Sequence, residues 1–562
     1  MPIEKAGGYI SNLTFNDGKE LAIAANDIVV FVGPNNAGKS QALKDLYALS
    51  EEKSPSVIIS NITIRKFSSP ISSVLSKISA GTDQGTYISY SVLGHSMNIW
   101  SYTDEDFPKK NFYGDFRDLF IANLNTSARL TICNPPNSIR RDENKKHPIH
   151  YAAFDSQYRK WLSNSFKKAF EIELTPNTQF GSQIPLCIGK PVQLNGTYED
   201  EQSRQEAYAD ILKTYKQVQN QGDGIKSFTG ILLYLMLDYY CTYLIDEPES
   251  FLHPPQARIM GQIIGQTLSD QQQAFISTHS EDIIKGLLEA CPERIKIVRI
   301  TREDDTNHFS ILNNAEFNQV WNDPLLKYSN IMASLFHKSV VLCESDSDCK
   351  LYSIIESHIK QKDGKYSETM FIHCGGKHRM SKIVTALRSL DINVKLIPDI
   401  DILNDQEVFK GVVESFGIDF KTIQSDYNNI VSNLHSPKEK INRISAKTSI
   451  NQVLDSSTNT DLSNREIRSI KEAISIISKW DSLKSAGSNA LPSGNATTSY
   501  KNIDQLLRSV GIFIVPVGEL ECFIKDVGGH GPEWVNTVLE TYPNLDDAVY
   551  NSITEFIASM NL

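Results

Sequence analysis

Ile28-Val29-Val30-Phe31-Val32-Gly33-Pro34-Asn35-Asn36-Ala37-Gly38-Lys39-Ser40 is the stretch on which the fold of the first half of the chain turns. Its five leading apolar residues read as a buried strand. Gly33 to Ser40 then fits the spacing G-x-x-x-x-G-K-[ST], in which glycines let backbone N–H groups turn toward phosphates at the start of a helix. Gln41–Leu49 has the helical character this arrangement requires. On this reading Gly33, Asn35, Asn36, Ala37 and Gly38 wrap the phosphates of ATP, Lys39 neutralises β- and γ-phosphate charge, and Ser40 ligates Mg2+.

A partner segment lies at Leu244-Ile245-Asp246-Glu247-Pro248-Glu249. Two adjacent acids ending an apolar strand are costly when buried without a cation. Asp246 is placed to hold the Mg2+ shell and Glu247 to polarise water. Ile276-Ser277-Thr278-His279-Ser280 ends another apolar run, with His279 in reach of the γ-phosphate. Around these motifs Tyr9–Phe15 and Leu21–Ala24 read as strands, and Val57–Trp100 is strand-rich. Helical periods follow at Phe154, Tyr158, Trp161, Leu162, Phe166, Phe170 and at Tyr208, Ile211, Leu212, Tyr215, Val218. Cys241–Ile245 and Ala274–Ser277 return to buried-strand character, as a mostly parallel sheet requires. Arg294–Ile300 and Phe309–Leu312 read as a hairpin before a junction at Asn313–Ser334.

From Lys338 the pattern is strand, helix, strand (Met370–His373), helix (Ile383–Leu390), strand (Val394–Pro398). Glu344 follows Val340-Val341-Leu342, Asp348 opens the next helix, and Asp399 and Asp401 follow Val394-Lys395-Leu396-Ile397. Acids at successive strand ends converge on the carboxyl edge of the sheet, where ligands bind. Crowded carboxylates raise one another's pKa unless a cation sits among them, and Mg2+ or Mn2+ prefers such oxygen donors. Between Asp401 and Ile512 the chain is rich in Ser, Asn and Lys. One helix is marked by Ile467, Ile470, Ile474 and Ile477, and Ser485–Ser499 reads as an exposed loop whose removal should leave the fold intact. Ile512–Val517 supplies one more buried strand, ending in Gly518-Glu519-Leu520-Glu521.

The fold class is therefore α/β. A nucleotide-binding domain spans 1–330 with a helical insertion at about 145–220, and a second α/β domain spans 335–562 with an insertion at about 405–510. The amphipathic insertions are expected to serve dimerisation or partner docking. A chain of 562 residues exceeds one hydrophobic core, and no apolar stretch approaches the ~18–20 residues of a membrane span. Met1-Pro2-Ile3-Glu4-Lys5 lacks a charged-then-apolar leader, so a cytoplasmic protein is expected. The eight cysteines form no Cys-x-x-Cys pair and read as buried thiols. A net charge of −11 argues against a uniformly basic DNA-coating protein. Local basic patches remain open to nucleic acid. Arg140, Arg141, Lys145, Lys146, Arg159, Lys160, Lys167 and Lys168 read equally as a solvated helix face, whereas Lys377, His378 and Arg379 follow a strand end and suit a phosphate backbone.

Taken in order, Gly33–Ser40, Asp246-Glu247-Pro248-Glu249 with Leu252-His253-Pro254, and Ser277-Thr278-His279-Ser280 resemble the ATP-binding-cassette (ABC) ATPase head of DNA-repair and chromosome-maintenance ATPases. In that superfamily a signature segment of a second subunit caps the γ-phosphate. Gly222-Asp223-Gly224-Ile225-Lys226-Ser227 matches best, so Gly222, Gly224, Lys226 and Ser227 are implied nucleotide contacts. It departs from Leu-Ser-Gly-Gly-Gln and reads alternatively as a helix cap. Glu344 followed by Asp-x-Asp resembles the topoisomerase–primase (TOPRIM) fold.

An ABC-type head followed by TOPRIM is similar to the overcoming-lysogenisation-defect (OLD) family of nucleases, whose members include antiphage effectors of the Gabija and retron-associated kinds. That resemblance implies catalytic and metal-ligating roles for Glu344, Asp348, Asp399, Asp401, Glu519 and Glu521, with two ions about 3.5–4 Å apart. It also implies a late catalytic lysine, for which Lys525 stands, with Gly528-Gly529-His530-Gly531 as the other source. The family often has Gly after the first Glu; Ser345 occupies that position here. The implied protein is an ATP-binding, Mg2+- or Mn2+-dependent DNA endonuclease of antiphage defence. It forms a dimer or tetramer, touches DNA and no membrane, and pairs with a helicase-like protein or a retron reverse transcriptase with its DNA. An ATPase scaffold with a non-cutting TOPRIM domain is the competing class; a topoisomerase lacks a marked nucleophilic Tyr, and a primase lacks cysteine spacing for a zinc ribbon.

Overall fold

A computed structural model describes the chain except residues 1–4, 53, 195–197, 313–316, 318–320, 324–330, 435–441, 458–459 and 475–478. It divides into two compact units, Met1–Gln319 and Val320–Leu562. The junction expected at Asn313–Ser334 falls largely outside the described residues.

In the first unit Ile28–Val32 is buried at every position, as an apolar run must be when helices cover both faces of a sheet. It sits inside a six-stranded sheet of order Thr306–Ile311, Ile295–Glu303, Ile28–Val32, Gln273–Ser277, Thr242–Asp246, Ile121–Leu124. All neighbours are parallel except the edge hairpin Ile295–Glu303 with Thr306–Ile311. The register sets Asp246 opposite Ser277 and Ser277 opposite Phe31. The phosphate loop, Asp246 and His279 therefore leave the sheet at one edge. Two antiparallel three-stranded sheets, Glu20–Ala22 with Gly8–Phe15 and Ile59–Lys66, and Thr82–Asp83 with Tyr87–Val92 and His95–Trp100, complete the unit's first part.

The insertion is not purely helical. Its helices Pro148–Phe154, Ser156–Phe170 and Glu201–Lys213 accompany a small sheet of Leu174–Pro176, Leu186–Ile188 and Lys216–Gln217. The helical period expected through Val218 stops at Lys213, because Tyr215 packs under Gly189 and donates to the Lys190 carbonyl at 3.0 Å. That contact turns the chain so that Lys216–Gln217 can pair with Leu186–Ile188.

In the second unit Ser339–Cys343 lies between Thr369–His373 and Asn393–Ile397, all parallel, with Cys343 opposite both His373 and Ile397. Helix Asp346–Lys362 covers this sheet through Tyr352 and Ile355, in one core with Trp534, Val538, Tyr550 and Phe556. The strand expected at Ile512–Val517 is only partly realised. Phe513 N–H donates to Leu396 O at 2.8 Å and Val515 N–H to Pro398 O at 3.1 Å, but Pro398 has no N–H to return and the ladder ends. Gly518 then accepts from Ile400 N–H at 3.0 Å, which brings the following Glu519 to the edge where Asp399 lies.

The insertion of this unit is a series of helices, among them Asn464–Ile474, which carries Ile467, Ile470 and Ile474; Ile477 lies outside the described residues. The exposed loop expected at Ser485–Ser499 is a correction. It comprises the end of helix Lys479–Ala486, the tight turn Gly487–Ala490 and the start of helix Asn495–Val510. Leu491, Ala496 and Ser499 are buried, and Ser488 N–H donates to Pro516 O at 3.0 Å. Gly518, at φ +115°, lies so close that a Cβ there would collide with the Lys484 carbonyl. The segment is part-exposed, at Ser485, Ser493 and Gly494 among others, yet anchored by buried positions and by Gly487, where a Cβ would collide with Pro516 O. Deletion of residues 485–499 is therefore expected to abolish soluble folding of the second unit, and Gly518→Ala to destabilise it by about 1–3 kcal/mol, measured by soluble yield and thermal unfolding.

Candidate functional site

The first site grows from the edge of the six-stranded sheet. Gly33 leaves the strand at φ +141° against Ile300 O, where any Cβ would collide. Gly38, at φ +103°, opens helix Lys39–Glu51. Lys39 is buried, and its ammonium donates to Gly33 O at 2.8 Å and Pro34 O at 2.6 Å, holding the loop open around itself. Burial, opposed by Glu247, Glu249 and Asp246, lowers its pKa to about 8. A cleft of about 570 Å3 follows, lined by Asn35, Asn36, Ala37, Gly38, Lys39, Ser40, Gln41, Glu247, His279 and Arg302. Its size and its row of loop residues at a helix N-terminus suit a nucleotide's phosphates.

On the facing side, the Ser277 hydroxyl bonds the Asp246 carboxylate, and Glu247 N–H donates to Ser277 O at 2.9 Å. Glu247 adopts φ 47°, a left-handed turn that follows the strand's last residue. Its carboxylate stands 3.7 Å from His279 Nε2. Burial, then Lys39, lowers the His279 pKa, so the imidazole is neutral near pH 7. Glu249 is held beneath by His279 N–H at 2.7 Å, and burial raises its pKa. Gly222 and Gly224 head helix Asp223–Leu235, with Lys226 paired to Asp223 at 2.6 Å and Ser227 fully buried. None of these four lines the cleft of its own chain.

The second site lies at the edge of the three-stranded sheet. Ligand oxygens of Glu344, Asp399 and Asp401 all lie within 4.8 Å of one another. Burial, then Glu344, Asp348 and Asp401, raises Asp399 well above the usual carboxylate range, and burial followed by Asp401 raises Glu344. Lys377 donates to the Asp401 carboxylate at 3.2 Å, while the other oxygen, Asp401 Oδ1, is buried without a hydrogen-bond partner among the described residues. An all-oxygen donor set with an orphaned carboxylate oxygen fits a hard divalent cation such as Mg2+ or Mn2+. Asp348 lies outside this trio but close enough to act on Glu344 and Asp399 through space. Its carboxylate accepts from Ser345 N–H at 2.8 Å while Ser345 Oγ accepts from Asp348 N–H at 3.3 Å, a reciprocal cap. Ser345, at φ −125°, needs no glycine conformation, so the departure from the family pattern is resolved by capping.

Glu519, Glu521 and His530 form a second cluster, also within 4.8 Å. Gly531 N–H donates to Glu521 at 2.9 Å, and His530 Nδ1 lies 3.6 Å from the same oxygen. Among the described residues no ion pair or hydrogen bond joins Lys525 to either cluster. Lys484 pairs with Glu519 at 3.2 Å instead. Burial would lower the Lys484 pKa, but Glu519, Asp401 and Asp399 outweigh it and raise it. Four residues escaped the sequence reading as site members: Lys484, inside the insertion; Arg302, on the edge hairpin; His530, named only as a substitute; and Arg129, whose guanidinium donates to the Asp246 carbonyl. Only the Gly-rich context of His530 offered a signal.

Comparison with known proteins matches residues 28–284 to the family described as AAA domain, putative AbiEii toxin, Type IV TA system. Residues 335–401 match the family described as overcoming lysogenization defect protein-like, TOPRIM domain. The first match contains the phosphate loop, Asp246 and His279, and the second contains Glu344, Asp399 and Asp401. No curated protein matches the chain. Among solved structures, an Smc head bound to the C-winged helix domain of ScpA is similar at 13% identity and a TM-score of 0.32, covering 55% of this chain and 99% of that one. The SMC head domain from Thermotoga maritima is similar at 12% identity and a TM-score of 0.27, covering 54% and 99%. Likenesses this loose carry no argument.

Lys39 yields a prediction with a definite sign. Its depressed pKa means that the free site loses the ammonium proton as pH rises through about 8. Bound phosphate favours the charged form, so binding takes up a proton above that pH. Nucleotide affinity is expected to be flat below pH 7.5 and to fall toward about tenfold per pH unit above 8. Fluorescent-ATP titration across pH 7–9.5 measures this, and Lys39→Ala should remove both the affinity and its slope.

Proposed function

For a chain that belongs to the overcoming-lysogenization-defect family, with an ATPase domain joined to an OLD-like TOPRIM domain, we propose an ATP-controlled, divalent-metal-dependent DNA endonuclease acting in antiphage defence. The observation that carries this reading is the convergence of Glu344, Asp399 and Asp401 beside Glu519, Glu521 and His530 on a sheet edge flanked by lysines. Glu344, Asp399 and Asp401 would hold one ion and Glu519, Glu521 and His530 a second. When bound, such ions supply a water nucleophile at neutral pH and charge for the leaving oxygen. Lys377 orients Asp401, and Lys484 presents a fixed cation to a phosphodiester lying between the clusters. Lys377, His378 and Arg379 follow Gly375-Gly376 and offer a further contact for the DNA backbone.

In the ATPase domain, Lys39 would neutralise phosphate charge, Ser40 and Asp246 would hold Mg2+, and Glu247 would accept a proton from water with neutral His279 beside it. Gly222 and Gly224 lie away from their own cleft, which supports capping of the nucleotide by a second copy and a dimer or tetramer. Ser227, being buried, takes no direct part. A helicase-like protein or a retron reverse transcriptase with its DNA is the proposed partner, and the cytoplasm the proposed location; among the described residues no helix is long and apolar enough to cross a membrane.

Cleavage of phage-length and short duplex DNA with Mg2+ or Mn2+ tests the proposal. Glu344→Ala and Asp401→Ala are expected to lower cutting by about 100-fold or more while sparing ATP binding, since even outer-shell changes cost about 10–100-fold. Lys39→Ala should do the reverse to ATP binding. If the carboxylate variants cut like wild type, the non-cutting scaffold replaces the nuclease. Lys484→Ala should lower the cutting rate by about 100-fold with little change in DNA affinity, and Lys525→Ala should leave it within about threefold.

A further inference from the structure

Arg129 is the largest charged side chain buried completely in the first unit, at 0% exposure. It lies on the short helix Thr126–Thr131, which follows Ile121–Leu124, the strand paired with Thr242–Asp246. One guanidinium nitrogen donates to the Asp246 carbonyl and, at 3.3 Å, to Leu124 O; the other donates to Thr126 Oγ1 at 3.3 Å, and Nε has no partner among the described residues. A cation taken out of water at such incomplete pairing is destabilising. An apolar residue of similar volume would fill the space without that penalty. A buried charge with these partners points to a positional role beside Asp246.

What surrounds it is the acidic turn. Asp246, Glu247 and Glu249 crowd within four consecutive positions, and all three act on Arg129 through space. The guanidinium holds the last carbonyl of the strand, immediately before Glu247 turns to φ 47°. The helix that carries Arg129 is itself clamped. A Cβ on Gly230 would collide with Arg129 O, and Cys133 Sγ donates to Lys226 O at 3.2 Å, so helix Asp223–Leu235 fixes its position from behind.

We propose that Arg129 is a positioning residue of the ATPase site: it anchors the Asp246 carbonyl and offsets the repulsion of the acidic turn, so that Asp246 faces the nucleotide's metal and Glu247 the attacking water. Arg129 touches neither nucleotide nor water. Its effect is on the metal-dependent part of binding and on turnover, not on the phosphate grip of Lys39.

The proposal rests on the reading that this cleft hydrolyses ATP, and the test separates the two. Arg129→Met and Arg129→Lys are compared with wild type for thermal unfolding, for fluorescent-ATP affinity in Mg2+ and in EDTA, and for kcat and KM of hydrolysis. Arg129→Met is expected to keep its EDTA affinity within about threefold, to lose about tenfold of the affinity that Mg2+ adds, and to lower kcat by about 100-fold at similar KM. Arg129→Lys, which restores charge but not the forked donor, should recover part of each loss. Equal loss of affinity in Mg2+ and EDTA, or wild-type values in a folded variant, overturns the proposal. So does failure of both variants to fold, which would make the role structural; if only Arg129→Met fails, Arg129→Lys decides. A wild type that binds ATP without turnover sinks the hydrolysis reading, while the Mg2+ comparison still judges Arg129.

Discussion

Uncompensated carboxylate charge at the ends of parallel strands is the constraint on which both halves of this protein depend. Parallel pairing sets strand ends side by side, and in each unit the residues placed there are acids. In the first unit the register puts Asp246 against Ser277, with Glu247 and Glu249 in the same turn. In the second, Cys343 aligns with Ile397, so Glu344 and Asp399 leave the sheet together. Neither arrangement would persist on hydrophobic burial alone, because crowded carboxylates favour neutralisation or separation. Each is offset by lysines or arginine from the protein.

The two units solve this problem differently, and the difference bears on function. Around Asp246 the compensating cations are Lys39 and Arg129, both buried and both bonded mainly to backbone carbonyls. They fix the shape of the loop and the turn rather than pairing with the acids directly. Around Asp399 and Asp401 the cations are Lys377 and Lys484, which are part-exposed and paired directly to carboxylates. Such pairs keep the lysines beside the acids at a surface partly open to solvent. A buried brace holds one turn in place; a part-exposed pair leaves its cation at the surface.

How much of this was legible in the sequence follows from the range of the interactions. The phosphate loop, Asp246, His279, Glu344, Asp399 and Asp401 each follow an apolar run, so a local pattern places them at strand ends, and the parallel-sheet rule places the ends together. Lys484 and Arg129 could not be read that way. Lys484 reaches Glu519 because Gly518 packs on its carbonyl, and Arg129 meets Asp246 across 117 positions of sequence. The Ser485–Ser499 segment shows the same limit: its Ser485, Ser493 and Gly494 do face solvent, but Gly487 packs against the Pro516 carbonyl and Leu491, Ala496 and Ser499 are buried, contacts that local composition does not signal. Tyr215 likewise carries helical periodicity, but a neighbouring glycine captures its ring and ends the helix.

That packing changes what an insertion is in this fold. Had the segment between Asp401 and Ile512 been a loose appendage, the second carboxylate cluster would depend only on the short extended run after Gly511. Instead Ser488 bonds Pro516 O, Lys484 is seated against Gly518, and Cys522 Sγ donates to Ser485 O at 3.4 Å. The position of Glu519 is thus set by the insertion as much as by the sheet. A partner that shifted helix Lys479–Ala486 would move a lysine and an acid of the same site together, without touching Glu344, Asp399 or Asp401. The sheet edge sets one half of the second centre and the insertion sets the other, so the geometry of the site depends on residues well outside the carboxylates themselves.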